Sequence, residues 1–218
     1  MRTRSIIWAI MLAFLLPAPH GLAASAEDYY PLKPGMTWEY SVVSSKAGTR
    51  KITIRNLPAR EIKGKKMTPR EWKMGNTAKY YLMARDDLGV YRYGELKSEK
   101  GEPEVTTPKV YSLKEPVDRG TTWDIITQMG DRQIKVNLTV EMIDDVVQVP
   151  AGTFKDCVKI KHEGKALPAK DRPGFAILAY EWYAPGTGLV KSLATIREES
   201  KEAKPPETLT YQLDSFKP

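Results

Sequence analysis

The stretch IKVNLTVEM, residues 134–142, puts Ile134, Val136, Leu138, Val140 and Met142 at every second position, with Lys135, Asn137, Thr139 and Glu141 between them. A period of two belongs to a strand with one face buried and the other wet. The same alternation runs through TWEYSVVS (37–44) with Trp38, Tyr40 and Val42, through RKITIRN (50–56) with Ile52 and Ile54, and through TLTYQLDS (208–215) with Leu209, Tyr211 and Leu213. TPREWKM, AKYYLMA, GVYRYGE, FKDCVKI, AILAYEWYA and GLVKSLATI are further strand candidates. No window carries a long apolar stripe at helical spacing, so the expected class is all-β with no long helix.

The breaks between these runs have turn chemistry. Ala47-Gly48, Asp86-Asp87-Leu88-Gly89 and Pro185-Gly186-Thr187-Gly188 each sit between strand-like segments and read as hairpin connections. Short strands joined by short turns pair antiparallel, because parallel pairs need long crossovers. Roughly ten such strands twist and curl instead of staying flat. The expectation is a strongly curved antiparallel sheet, a half-barrel or barrel, with a concave face able to hold a small apolar ligand. Two polar segments, SEKGEPEVTTP (98–108) and EESKEAKPPE (198–207), read as solvated loops.

One phrase is written twice. PLKPGMTWEY (31–40) returns as PVDRGTTWDI (116–125), with Pro, Gly, Thr and Trp in the same places. Each copy precedes a series of strands, and each series contains a related hairpin, YYLMARDDLGVYR (80–92) and EWYAPGTGLVKS (181–192). Two similar β halves, 29–100 and 110–218, is one reading; a convenient way of starting a strand, used twice, is the other. On either, Gly35 and Gly120 are expected to make the turn, and Trp38 and Trp123 to plug the core.

The chain begins MRTRSIIWAIMLAFLLPAPHGLAASA. Arg2 and Arg4 precede an apolar run from Ile6 to Leu16, and Ala24-Ser25-Ala26 has small-x-small spacing. This is the pattern of a cleavable secretory signal over 1–26, with a single exported domain over 27–218. The run is shorter than the ~20 apolar residues of a spanning helix, so no transmembrane segment is expected after processing. The leader holds two of the 34 basic residues and none of the 27 acidic ones, so the formal charge falls from +7 to +5 on its removal. The expected location is the periplasm or the outside of the cell.

Little in the remaining chain points to catalysis. His162 is the one histidine beyond the leader, and its neighbours Lys161 and Glu163 suggest an exposed position. Triad chemistry needs a base beside a nucleophile, and zinc needs three or four ligands. Cys157 is the only cysteine, so no internal disulfide forms. Strict alternation places it with Lys155 and Lys159, opposite Phe154, Val158 and Ile160; a buried thiol is the favoured reading over an exposed one. No glycine-rich phosphate cradle is present. No cofactor, metal or nucleic acid is therefore expected, and a carboxylate-based hydrolase ranks third among the functional readings. Lys63, Lys65, Lys66, Arg70 and Lys73, and then Lys159, Lys161, Lys165, Lys170 and Arg172, form two basic clusters that read as solvated faces.

The aromatic residues are the better clue. Tyr80, Tyr81, Tyr91, Tyr93, Tyr180, Trp182 and Tyr183 lie on or beside the two related hairpins. They are candidates to line a binding groove, and equally candidates for the core of a curved sheet.

YYPLKPGMTWEY (29–40), VPAGTFKDCVKI (149–160) and EWYAPGTGLVKS (181–192) resemble three landmarks of exported bacterial β-sheet proteins of unknown function. Those landmarks are YPLxxGxxW, VPAGTFxxC and WYAPGxGLV. The resemblance extends to the curved sheets of periplasmic lipoprotein carriers of the LolA/LolB kind. It implies a cell-envelope location and brings no catalytic residues. Gly152, Phe154, Pro185, Gly186 and Gly188 are expected to serve architecture. The leading expectation is a non-catalytic protein that binds an apolar or lipidic ligand. The alternative is a module that binds another envelope protein and no small ligand.

Overall fold

A computed structural model of the chain describes residues 25–129, 132–168, 173–199 and 205–218. The expected signal sequence lies outside these residues, apart from Ser25 and Ala26. The strands are β1 (Thr37–Ser44), β2 (Gly48–Asn56), β3 (Arg60–Ile62), β4 (Lys65–Met74), β5 (Thr77–Asp86), β6 (Gly89–Leu96), β7 (Pro103–Lys114), β8 (Thr122–Met129), β9 (Arg132–Val149), β10 (Gly152–Ala166), β11 (Gly174–Ala184), β12 (Gly188–Glu199) and β13 (Glu207–Lys217). One short helix, α1 (Ala26–Tyr29), precedes them. No helix among the described residues is long and apolar enough to cross a membrane.

Twelve strands follow one another in the order β7-β6-β5-β4-β2-β1-β13-β12-β11-β10-β9-β8, and β3 pairs with β4 off that path. Every pairing is antiparallel. The sheet is the expected curved antiparallel one, and it curls into a nearly closed barrel. The order reads as two six-strand meanders joined where β1 pairs with β13. At the far ends β7 and β8 come side by side without a ladder. There the Trp123 indole N–H donates to the Tyr111 carbonyl at 3.1 Å.

The repeated phrase folds the same way in both places. Gly35 and Gly120 have φ of 89° and 91°, a left-handed conformation that glycine adopts without strain. Gly35 N–H donates to Asn56 O at 2.9 Å, and Asn56 N–H returns to Met36 O at 2.9 Å. Gly120 N–H donates to Val140 O at 2.8 Å, and Val140 N–H returns to Thr121 O at 2.9 Å. Trp38 and Trp123 then enter the interior, and both are buried.

Ile134, Val136, Leu138 and Val140 all join the main core, as alternation predicts. Met142 does not: it is 43% exposed. The β9–β10 pairing slips between Met142↔Lys159 and Val140↔Ile160, and Asp144 takes φ of 61°, so the face reverses there. Cys157 and Val158 are both fully buried although adjacent. Asp156, at φ 55°, and two register shifts bend β10 so that both side chains turn inward. Burial, followed by the charges of Asp145 and Asp156, pushes the Cys157 thiol up to about 11. The tip of the β9–β10 hairpin folds back: Val147, Val149 and Phe154 pack with Ala184, Val190 and Leu213. Ala151 N–H caps it on Leu213 O at 2.9 Å.

Part of the expected loop at 98–108 is strand, since β7 begins at Pro103 and pairs with β6. Of the second polar segment, Glu198 and Glu199 end β12 and Glu207 begins β13; residues 200–204 lie outside the described residues.

The N-terminal segment ties the barrel together. Ser25 and Asp28 form a capping box, which satisfies donors that a helix start leaves free. Ala26 is buried, and its N–H donates to Glu115 Oε1 at 2.7 Å. Gly186 N–H donates to Asp28 O at 2.7 Å, and Thr68 Oγ1 donates to Leu32 O at 2.9 Å. Residues from both meanders thus hold this strap.

Candidate functional site: an aromatic cavity with a charged wall

Two core clusters meet inside the barrel without filling it. One holds Met83, Trp123, Leu138 and Tyr183, the other Trp38, Tyr40 and Ile54. Between them lies a cavity of about 380 Å³, within the range of small-molecule sites, roughly 300–1,000 Å³. Its wall combines Trp38, Tyr40, Trp72, Tyr81 and Leu189 with Arg70, Arg92, His162 and Glu181. Val110, Tyr111 and Ser112 of β7 and Ile125 of β8 also line it, so it reaches the unpaired seam.

Arg70 was expected in a solvated basic cluster and is instead 6% exposed. Its Nε donates to Asn56 Oδ1 at 2.8 Å and its Nη2 to Pro31 O at 2.7 Å. The guanidinium lies 4.3 Å from the Tyr30 ring centroid and 5.0 Å from that of Trp38. Lys170 and Arg172 of the second basic cluster lie outside the described residues. His162, expected at the surface, is largely buried, because β10 pairs on both edges and its even positions face inward.

Among the charged groups, His162 Nε2 lies 3.2 Å from Glu181 Oε2, and the Tyr183 hydroxyl donates to the same oxygen at 2.5 Å. Burial alone would raise the Glu181 carboxyl; the His162 imidazole and the Tyr183 hydroxyl outweigh it and hold the carboxyl below the usual range. Burial, and then the Glu181 charge, push the Tyr183 phenol well above its ordinary value. Tyr40 and Tyr81 are raised as well, first by burial. The wall therefore presents neutral phenols, one ionised carboxylate and two guanidiniums. Among the described residues no group of three or more His, Cys, Asp or Glu is placed to hold a metal ion.

Of the seven candidate groove aromatics, Tyr81 and Tyr183 line this cavity. Tyr80, Tyr91 and Tyr93 gather in a separate cluster with Met67, Leu82 and Leu96. Tyr180 and Trp182 pack on each other, ring centroids 6.3 Å apart, with Lys159 Nζ 4.3 Å from the Tyr180 centroid. Each of these five sits one position away from a residue that does line the cavity: Tyr81, Arg92, Glu181 or Tyr183. The lining residues Trp38 and Tyr40 were legible as a buried face of β1, and Tyr111 lay in a segment with no clear alternation. The architectural residues stand at turns or bends: Gly152, Gly186 and Gly188 all have positive φ, Pro185 opens the β11–β12 turn, and Phe154 packs in the folded-back hairpin.

No family model matches the chain, and no curated protein matches it. Two solved structures resemble it in shape. One is a protein of Parabacteroides distasonis described as a lipoprotein: 13% identity, 87% of this chain and 98% of that one covered, TM-score 0.48. The other is an exported protein of Bacteroides fragilis described as having a YmcC-like fold: 14% identity, 85% and 97% covered, TM-score 0.44.

Proposed function

We propose that this protein works outside the cytoplasm, in the periplasm or secreted, as a non-catalytic binding protein whose barrel holds an apolar or lipidic ligand. The observation that carries this reading is the cavity of about 380 Å³ between two core clusters, walled largely by aromatic and aliphatic side chains. Well-packed interiors leave few voids larger than a water molecule, and an apolar pocket with a few polar groups is the usual form of a small-molecule site. The one carboxylate on the wall is held below its ordinary value by His162 and Tyr183. The leader-like N-terminus supports the location.

Native mass spectrometry of the protein, purified from a bacterial periplasm without detergent, tests the reading. A reproducible added mass, released on denaturation and identified as a lipid or other apolar molecule, is the expected result. A bare mass in repeated preparations counts against it and favours a module that binds another envelope protein.

A further inference from the structure

The cavity wall holds more positive than negative charge. Arg70 and Arg92 both line it, against Glu181 alone among the acids. Arg70 spends its recorded hydrogen bonds on neutral acceptors, the Asn56 side chain and the Pro31 carbonyl. Among the described residues, no carboxylate lies within ion-pair distance of it. Arg92 has Glu95 at 3.3 Å from Nη1, and its guanidinium lies 5.4 Å from the Tyr81 ring centroid. Its Nε is buried and has no acceptor among the described residues. A buried N–H of a charged group left without an acceptor is costly, and native structures fill such positions.

Resting on the reading that the cavity takes an apolar ligand, we propose that this ligand is a single-chain amphiphile with an oxyanion head, a carboxylate or a phosphate monoester. An oxygen of the head accepts from Arg92 Nε, and the chain lies among Trp38, Tyr40, Ile54 and Leu189. Glu95 occupies Nη1 and leaves Nε for the ligand. A guanidinium recognises an oxyanion by charge and by directed hydrogen bonds together. A volume near the lower end of the range for ligand sites suits one chain and not two.

A matched twelve-carbon series tests this on delipidated protein: dodecanoate, dodecyl phosphate, 1-dodecanol and dodecylamine, followed by titration calorimetry. At least one of the two acids is expected to bind about tenfold or more tighter than the alcohol, as a charge-assisted hydrogen bond implies. Which acid binds tighter identifies the head. Arg92→Gln is expected to remove that gap while binding of the alcohol stays as it was. Equal binding of acids and alcohol, tightest binding of the amine, or a gap that survives in Arg92→Gln overturns the head-group assignment and leaves the apolar-ligand reading standing. Binding of none of the four by the wild-type protein sinks both. The wild-type series decides the head group alone if the variant does not fold.

Discussion

At one junction of the barrel, β1 and β13 pair over eight positions, from Thr37↔Lys217 to Ser44↔Leu209. At the other, β7 and β8 lie side by side with no ladder, linked by the Trp123 indole on the Tyr111 carbonyl. The two junctions use the same kinds of residue, and each has one of the twin tryptophans beside it. What differs is the currency of closure: backbone hydrogen bonds at the first, side chains at the second. A backbone ladder is cooperative and satisfies donors and acceptors in a row. A side-chain staple can let go alone. The cavity runs to the stapled junction, where Val110, Tyr111, Ser112 and Ile125 form part of its wall. The barrel is therefore firm where its meanders join and adjustable where its interior comes nearest to an edge.

The sharpest way to break this comparison is to remove each tryptophan in turn. Trp38→Ala and Trp123→Ala should each cost about 3–5 kcal/mol, the usual range for deleting a buried aromatic side chain, measured by urea unfolding. Only Trp123→Ala should speed amide exchange in β7 and β8 while leaving β1 and β13 protected. Equal acceleration at both junctions in that variant would show that the difference between them is not real. Gly188→Val tests the firm side. Gly188 has φ of 95°, and a Cβ there would stand 3.5 Å from Pro31 Cδ and 3.7 Å from Trp38 Nε1. The strain should cost about 1–3 kcal/mol, seen as a fall in Tm; an unchanged Tm would refute the turn's architectural role.

The smallest expected effect concerns pH. Asp86, in the β5–β6 turn, accepts from Lys109 Nζ at 2.7 Å and from the Tyr111 hydroxyl at 3.0 Å, and so ties β7 to its neighbours. Burial alone would raise this carboxyl, but the hydrogen bonds from Lys109, Tyr111 and the Leu88 N–H hold it below its ordinary value. A folded value below the unfolded one adds stability above the unfolded value, about pH 4. That contribution is lost as pH falls through the folded value. Asp86→Asn should thus lower stability near neutral pH by less than about 1 kcal/mol, since the pair is partly exposed. Wild type and variant should converge in acid unfolding curves below about pH 4. A constant difference across the range would mean that Asp86 does not hold the seam strand through its charge.

Much of the fold was legible because a strand's period is two and the turns carry glycine, proline and aspartate in the usual places. The departures share a cause. Met142 leaves the buried face where a bulge shifts the register. Cys157 is buried as favoured, but a bulge turns it inward together with its neighbour Val158, and a bulge leaves no mark in an alternating pattern. Five of the seven groove aromatics miss the cavity for a related reason. Alternation fixes which residues share a face, but not which face turns inward when both are rich in apolar groups, as in AILAYEWYA and AKYYLMA. There the tyrosines on the other face cluster among themselves, while Tyr81, Glu181 and Tyr183 point in. Arg70 was hidden differently. A guanidinium among lysines reads as surface, and only the fold brings Asn56, Pro31 and two aromatic rings around it.

The pairing of the first strand with the last also sets the order of events when the chain is made. Loop-closure entropy is paid before a long-range pairing is rewarded, and few pairings reach farther along this chain than Thr37 with Lys217. A chain emerging N-terminus first carries β1 with one edge open until the final strand, Glu207–Lys217, is free to dock. Through that interval the edge is a template for pairing with any other chain. Truncations that remove these eleven residues therefore leave behind an adhesive molecule as well as an incomplete one.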